Sequence, residues 1–382
     1  MRVLIVPSWY VTEDKPNNGV FFKEQAEALL NCGVEVVVAY PDLRFKLGNL
    51  RRGIFKDYSS EVQTYIYRKR TVTPFIERGR WPQRTRMLEE LYERICSEIG
   101  EPDIVHLHSC RMGIETLELC RQNGLPLVYT EHYSGTLSNI DKNLKYQFEK
   151  TLQGCDCPIA VSEELRARMV VKRPDTLYIP NLVDTDNFKI MPNVAPQGNF
   201  VFASVGNLVA IKGFDILLRA FAKALPHMPG AKLLIAGSGE EENSLKTLIS
   251  ELKIEDSAQL TGFLPRTLAP QFFNSCDCYV CSSHAETFGI TLIEALSCGK
   301  PVVATRCGGP ESIINDKNGR LVNAGDILTM ERALIYMYRN AKSFNPFQIR
   351  EECIRRFGKY YICQRLVQVY GYLLGNKNIS KD

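Results

Sequence analysis

CDCYVCSSHAETFGITLIEALSCGKPVVAT, residues 276–305, passes from one apolar run to another through a loop and a helix-like segment. CDCYVC has the length and β-branched or small apolar content of a buried strand, and it ends in Ser282-Ser283. ITLIEALSCG keeps apolar residues on one helical face and stops at Gly299, the residue type on which helices commonly end. KPVVAT is a second short, near-continuous apolar strand. Strands that are apolar along their whole length and joined through a helix belong to parallel sheets covered on both faces.

The same scheme extends outward. FVFASVGN, AKLLIAGSG and AQLTGF read as further strands, and FDILLRAFAKAL places Phe214, Leu217, Leu218, Phe221 and Leu225 on one helical face. The first half repeats it. MRVLIVP and VEVVVAY flank the helical pattern GVFFKEQAEALLNCG, and DIVHLHS, LPLVYTEH and CPIAVSEE follow as buried strands. Between the halves, IPNLVDTDNFKIMPNVAPQGN is rich in proline and asparagine and reads as a linker. A chain of 382 residues exceeds the usual single-domain size. Two doubly wound α/β domains facing a cleft follow as the expectation.

In such sheets ligands bind beyond the carboxyl ends of the strands. The chemically informative residues fall there: Gly206-Asn207, Gly237-Ser-Gly239, Gly262-Phe263-Leu264 and His284-Ala-Glu286 each follow a strand. Glu286 and Glu294 frame an expected helix start near Thr287, with Glu294 about 7 Å along the axis from Gly289 at ~1.5 Å per residue. The N–H groups of Gly289 to Leu292 and the positive end of the helix dipole favour an anion between the carboxylates. A diphosphate suits that position, and carboxylates suit paired sugar hydroxyls. The pattern reads as a nucleotide-sugar site, with the sugar near Glu286 and the ribose near Glu294. The plainer alternative makes Glu286 a helix cap and Glu294 a solvated helix residue.

Composition bounds the rest. Hydrophobic content of 45% and charged content of 24% are ordinary for a globular protein. Val3 to Val6 is too short for a signal h-region and no apolar stretch approaches ~18 residues, so a soluble, cytoplasmic chain is expected. The thirteen cysteines read as reduced thiols. Neither Cys155-Asp-Cys157 nor Cys276-Asp-Cys278-Tyr-Val-Cys281 has the spacing of a structural zinc site, and no metal is expected.

HAETFGITLIEALSCGKPVVATRCGGPESII, VGNLVAIKGFDILLRAF, IPNLVD and PNNGVFFKEQAEAL together resemble the retaining GT-B glycosyltransferases of glycosyltransferase family 4, and the resemblance runs through nearly the whole chain. It implies an acceptor-side domain over residues 1–182, a nucleotide-sugar domain over 183–358, and a C-terminal helix within 359–382 returning to the first domain. It also implies a UDP- or GDP-linked donor, no metal cofactor, and a glycan or lipid-linked acceptor in surface polysaccharide or glycolipid synthesis. By residue, it implies Glu294 on the ribose hydroxyls, Glu286 on the donor sugar and Lys212 on the diphosphate. The backbone of Phe288, Gly289, Ile290, Thr291 and Leu292 is implied to run along sugar and diphosphate. Gly19 lets the first-domain loop approach the phosphates, and His132 in YTEHYS meets the transferred sugar. Asn207, Gly239, Gly262, Phe263 and Leu264 complete the implied donor contacts. The family usually has arginine at the position of Asn207, and a second glycine at that of Asn18.

Other readings stand beside this one. His106, His108 and His132 can be drawn as a three-histidine metal site, but His-x-His at a strand end also occurs in the family without metal ligation. Two carboxylates also suggest glycoside hydrolysis, which needs them flanking one bond at about 5 to 9.5 Å rather than across a helix start. A GT-B nucleotide-sugar epimerase and a non-catalytic sugar-nucleotide-binding subunit remain as alternatives. Residues 41–94 carry 13 Lys or Arg and 7 Asp or Glu, a net of +6 in a chain that totals +4. The interleaving of aromatic and basic residues within residues 44–86 suits peripheral contact with an anionic membrane, with a solvated basic face as the alternative. No nucleic-acid-binding motif accompanies the charge.

Overall fold

The computed structural model describes residues 1–72, 77–132, 142–192, 194 and 198–375. The chain divides into two compact units, residues 1–180 with 359–382, and residues 181–358.

The first unit contains β1 (Arg2–Pro7), β2 (Glu35–Arg44), β3 (Gly53–Asp57), β4 (Gln63–Arg70), β5 (Ile104–His108), β6 (Leu127–Glu131), β7 (Cys157–Ala160) and β8 (Leu177–Tyr178). They form one sheet in the order β3-β4-β2-β1-β5-β6-β7-β8. Helices α1 (Val20–Asn31), α2 (Glu77–Ile99), α3 (Gly113–Asn123), α4 (Lys142–Gly154) and α5 (Glu163–Met169) connect its strands. Val3 to Val6 and Val36 to Ala39 are fully buried, as near-continuous apolar strands between helix layers should be. The sheet is not wholly parallel as expected: β3 runs antiparallel to β4 at the edge, Gly53 opposite Arg68. Part of the basic window is therefore an edge hairpin.

The second unit holds β9 (Val201–Val205), β10 (Lys232–Ala236), β11 (Ala258–Gly262), β12 (Cys278–Cys281), β13 (Val302–Arg306) and β14 (Gly319–Asn323), all parallel, in the order β11-β10-β9-β12-β13-β14. Its helices are α6 (Phe214–Ala224), α7 (Glu242–Glu251), α8 (Ala269–Asn274), α9 (Ile290–Ser297), α10 (Ile327–Asn340) and α11 (Pro346–Phe357). Helix α6 buries Phe214, Leu217, Leu218 and Phe221, while Leu225 lies just past its end and is only partly buried. Each such side chain taken from water contributes about 1.5–3 kcal/mol. The Asp326 carboxylate caps α10, accepting from the N–H groups of Leu328 and Thr329, and Asn345 caps α11 in the same way.

The proline-rich stretch expected to be a linker contributes to the second unit's core. Phe188 is buried, and the Arg350 guanidinium donates to the carbonyls of Thr185 and Phe188. Near the entry point, the Val183 N–H donates to the Phe357 carbonyl at 2.9 Å, next to the exit point at Gly358. The chain then closes with α12 (Lys359–Leu373), which belongs to the first unit and packs on α1. There Arg365 donates to the Tyr178 carbonyl at 2.6 Å.

Candidate functional site

In the second sheet the chain goes outward from β9 through β10 to β11, then returns to the other side of β9 with β12. The order of the strands reverses between β9 and β12, where diverging loops leave a crevice beyond the strand ends. The loop after β9 carries Gly206 and Asn207 and leads to Lys212; the loop after β12 carries Ser282 to Gly289. Gly239 follows β10, while Gly262, Phe263 and Leu264 end or follow β11 on the same edge. Asn207, Gly239 and Phe263 are exposed.

At this reversal Lys212 Nζ lies 2.5 Å from Glu286 Oε1, which also accepts from Ser283 Oγ at 2.8 Å. Backbone bonds fix the Glu286 loop from both sides: the Glu286 N–H donates to the Cys307 carbonyl at 3.1 Å, and the Gly309 N–H donates to the Glu286 carbonyl at 2.7 Å. Burial pulls the Lys212 ammonium toward deprotonation, but the Glu286 charge overrides it and the pKa is raised above the ordinary lysine value. Lys212 is therefore a cation throughout the neutral range.

Helix α9 begins at Ile290, slightly later than Thr287. Gly289 is its N-cap at φ 98°, a left-handed conformation in which a side chain is strained, and a Cβ there would come within 2.7 Å of Leu292 Cδ1. No side chain caps the helix, so its first N–H groups and the dipole end face the loop that holds Glu286. Glu294, in the second turn, is 2% exposed, and Arg266 Nη1 donates to its Oε1 at 2.6 Å. Burial raises the Glu294 pKa, and the Arg266 charge offsets part of that rise. The Arg266 guanidinium also sits over the Phe188 ring at 4.6 Å. Ile290, Thr291 and Leu292 form the first turn, and the Phe288 ring is buried against Phe357.

The first unit has its own order reversal, between β1 and β5. The Ser8 N–H donates to the His108 carbonyl and Ser8 Oγ to the Ser109 carbonyl across it. Gly19 is the N-cap of α1 at φ 78°; a Cβ there would lie 2.9 Å from Trp9 Cδ1. The first turn of α1 brings Phe21 and Phe22 onto the His132 ring, with centroids 5.4 and 4.9 Å away. Gly19 and His132, 113 positions apart in sequence, thus belong to one cluster. His108 Nδ1 lies 2.9 Å from His132 Nε2. His106 bonds instead to Tyr370 Oη and Thr130 Oγ1, both at 2.7 Å. These three rings engage hydroxyls and one another, and among the described residues no His, Cys, Asp or Glu group is arranged to hold a metal ion. All thirteen cysteines are free.

Three residues escaped the sequence reading. Arg266 lies two positions beyond Leu264 and carries no pattern of its own. Ser283 was read only as the end of a strand. Glu131, inside YTEHYS, is fully buried and accepts from the His132 N–H and Ser109 Oγ, each at 2.8 Å, and from Tyr129 Oη. Ser109 holds φ 66° to make its contact, a strained value for a residue with a Cβ.

The basic window is largely self-neutralised. Arg68 is buried between Asp42 at 2.6 Å and Glu13 at 2.5 Å; Arg44 pairs with Asp14 and Asp42, Arg84 with Glu115, and Lys56 with Glu98. The β3–β4 register gathers exposed Arg51, Arg52, Lys69 and Arg70 at one end of the hairpin, with Lys46, Phe45 and Val72 also exposed nearby in sequence. Among the described residues, no helix is long and apolar enough to cross a membrane.

Two family profiles match in tandem: Glycosyltransferase Family 4 over residues 19–187, and Glycosyl transferases group 1 over residues 186–355. An uncharacterized glycosyltransferase of Haemophilus influenzae is 36% identical over 154 residues, 40% of this chain and 43% of that protein. A D-inositol 3-phosphate glycosyltransferase of Pseudarthrobacter chlorophenolicus is 28% identical over 351 residues, 81% of this chain and 79% of that one. A crystal structure of Anabaena HepE in complex with UDP superposes with a TM-score of 0.77 over 97% of this chain and 100% of its own, at 18% identity. Two Rossmann-like units with this topology, matched in turn by two adjoining profiles, make the chain a glycosyltransferase of the group 1 and family 4 type with the GT-B fold.

Proposed function

We propose that this enzyme moves a sugar, with retention of anomeric configuration, from a UDP- or GDP-linked donor to a glycan or lipid-linked acceptor in surface polysaccharide or glycolipid synthesis. The observation that carries the proposal is the Lys212–Glu286 pair at the strand-order reversal, beside the uncapped start of α9. A diphosphate is taken by the Lys212 ammonium and the α9 N–H groups. Glu286 receives hydroxyls of the donor sugar and Glu294 those of the ribose. The backbone from Phe288 to Leu292 lies along sugar and diphosphate; Asn207, Gly239, Gly262, Phe263 and Leu264 line the nucleotide's place. His132 meets the transferred sugar.

In this reading the leaving diphosphate gains negative charge as the glycosidic bond breaks. Lys212 and the helix start stabilise that charge more than they stabilise the bound donor. No carboxylate of the motif stands as an inverting base, so the acceptor attacks the face that the leaving phosphate vacates and the phosphate takes its proton. No metal takes part. HepE, whose structure holds UDP, supports a nucleotide donor by analogy. The protein works in the cytoplasm, and Arg51, Arg52, Lys69 and Arg70 bring it to the inner face of the membrane, where a lipid-linked acceptor resides. NMR assignment of the product anomer, after a panel of UDP- and GDP-sugars is screened with candidate acceptors, tests the proposal: an inverted product refutes retention, and donor hydrolysis or epimerisation without transfer refutes the acceptor reading.

A further inference from the structure

We infer that Glu131 is a positioning residue of the first unit: its carboxylate locks the strained corner at Ser109 and the backbone of His132 into one arrangement, and so fixes how the His132 ring is presented.

The register of the sheet brings the parts together. His108 pairs with Thr130 where β5 and β6 run parallel, so Ser109, just past β5, stands beside Glu131, the last residue of β6. Ser109 lies at φ 66° and ψ 149°, a backbone region essentially reserved for glycine. Its N–H donates to the Thr130 carbonyl at 2.8 Å, its carbonyl accepts from Ser8 Oγ at 2.7 Å, and its Oγ donates to Glu131 Oε1 at 2.8 Å. The ends of β1, β5 and β6 are thus tied at one corner. Glycine at position 109 would take the same backbone without strain but would give up the hydroxyl that joins it to Glu131.

The carboxylate couples this corner to His132. Glu131 Oε1 accepts from Ser109 Oγ and from the His132 N–H, both at 2.8 Å, while Oε2 accepts from Tyr129 Oη and from the Cys110 N–H at 3.3 Å. One oxygen therefore holds the strained residue and the backbone of His132 together. A carboxylate offers acceptors alone, and each of these neighbours brings a donor. Glu131 is fully buried, where a polar group persists only when bonded in this way, and strain persists only where the surroundings over-determine it. The His132 ring is gripped separately, by His108 at 2.9 Å between Nδ1 and Nε2 and by the Phe22 ring at 4.9 Å between centroids. Fixing the backbone at one end and the ring at the other selects one orientation.

The inference rests on the reading that His132 meets the transferred sugar. Steady-state kinetics of folded, full-length variants test it. Glu131→Leu fills the space but leaves the donors unmatched; its kcat should fall about tenfold to a hundredfold while the donor KM stays within about twofold, because the proposed nucleotide contacts are untouched. Glu131→Gln keeps an acceptor oxygen at the Oε1 place and can donate its amide to Tyr129 Oη, so it should stay within about threefold of the wild type. A purely structural Glu131 would lower the melting temperature and leave the kcat of the folded enzyme unchanged, which overturns the inference, as does Glu131→Gln turning over as slowly as Glu131→Leu. Where Glu131→Leu does not fold, a second pair decides. Ser109→Gly and Ser109→Ala both lose the hydroxyl, but glycine keeps the corner without strain, so it should melt higher and turn over faster than alanine, the reverse of their ordinary order. The ordinary order overturns the inference. If the protein transfers no sugar, the functional reading fails, and amide hydrogen exchange at His132 still decides the lock: at least about tenfold faster in Glu131→Leu supports it, and an unchanged rate overturns it.

Discussion

Lys212 and Glu286, 74 residues apart, meet at 2.5 Å where the strand order of the second sheet reverses. The pair brings the cation assigned to the diphosphate onto the carboxylate assigned to the sugar. Lys212→Ala should lower turnover by about a hundredfold to a thousandfold, the ~2.7–4 kcal/mol typical of one preorganised electrostatic donor, and weaken donor binding less. Steady-state kinetics of the folded variant check this; near-normal turnover would remove Lys212 from the mechanism.

Glu294 is a buried carboxyl group. Its pKa is raised by burial despite Arg266, so folding favours its protonated form. For a carboxyl group whose folded value exceeds its unfolded one, stability falls as pH rises between the two, and the penalty persists at neutral pH. Glu294→Gln should therefore melt no lower than the wild type at pH 7, with any advantage shrinking as pH falls toward about 4, near the unfolded glutamate value, and absent below it. The same variant should bind donor more weakly. A lower melting temperature at pH 7 would show that the Arg266 pair outweighs the burial term.

Arg266→Ala leaves that buried carboxylate without the contact at 2.6 Å. The loss should be about 1–3 kcal/mol of stability, seen as a lower denaturation midpoint, together with weaker donor binding. An unchanged midpoint would indicate that solvent replaces the guanidinium.

Charge reversal of Arg51, Arg52, Lys69 and Arg70 should abolish binding to vesicles rich in anionic lipid. Each cation near such a surface contributes about 1 kcal/mol. Moderate salt should release the wild type, because screening acts over ~8 Å at physiological ionic strength. Equal sedimentation with neutral vesicles would refute an electrostatic docking face.

In the proposed function Lys212 and the α9 start neutralise the leaving charge, so transfer should continue in EDTA at the rate seen with added magnesium or manganese. Activity lost to EDTA and restored by manganese would count against this.

Much of this was legible because period and punctuation agree. VLIV, VFASV and CYVC are short apolar runs bounded by loop residues, and all are buried strands. The β3–β4 hairpin was hidden because its antiparallel edge position lets charged and aromatic residues alternate in YIYRKR, a signal dominated by its charge. Helix α2 was obscured by Pro82 and a mostly polar composition. The stretch around Phe188 looked like a linker because proline and asparagine report local turns, whereas its anchoring comes from Arg350, 162 residues away. Glu286 and Lys212 stood out through motif position, but their contact did not. Arg266 was silent, since a lone arginine in a loop acquires meaning only when folding sets it on Glu294.

The bond from Val183 to Phe357 bears on how such enzymes diversify. Residues 181–358 form one uninterrupted segment whose ends meet where Val183 pairs with Phe357 and Gly358, and the flanking chain is stitched in turn where Arg365 reaches Tyr178. A segment with adjoining ends can be exchanged by two cuts in the gene without rethreading the remainder. If that segment holds the donor, as proposed, donor choice can be inherited, borrowed or engineered as a cassette.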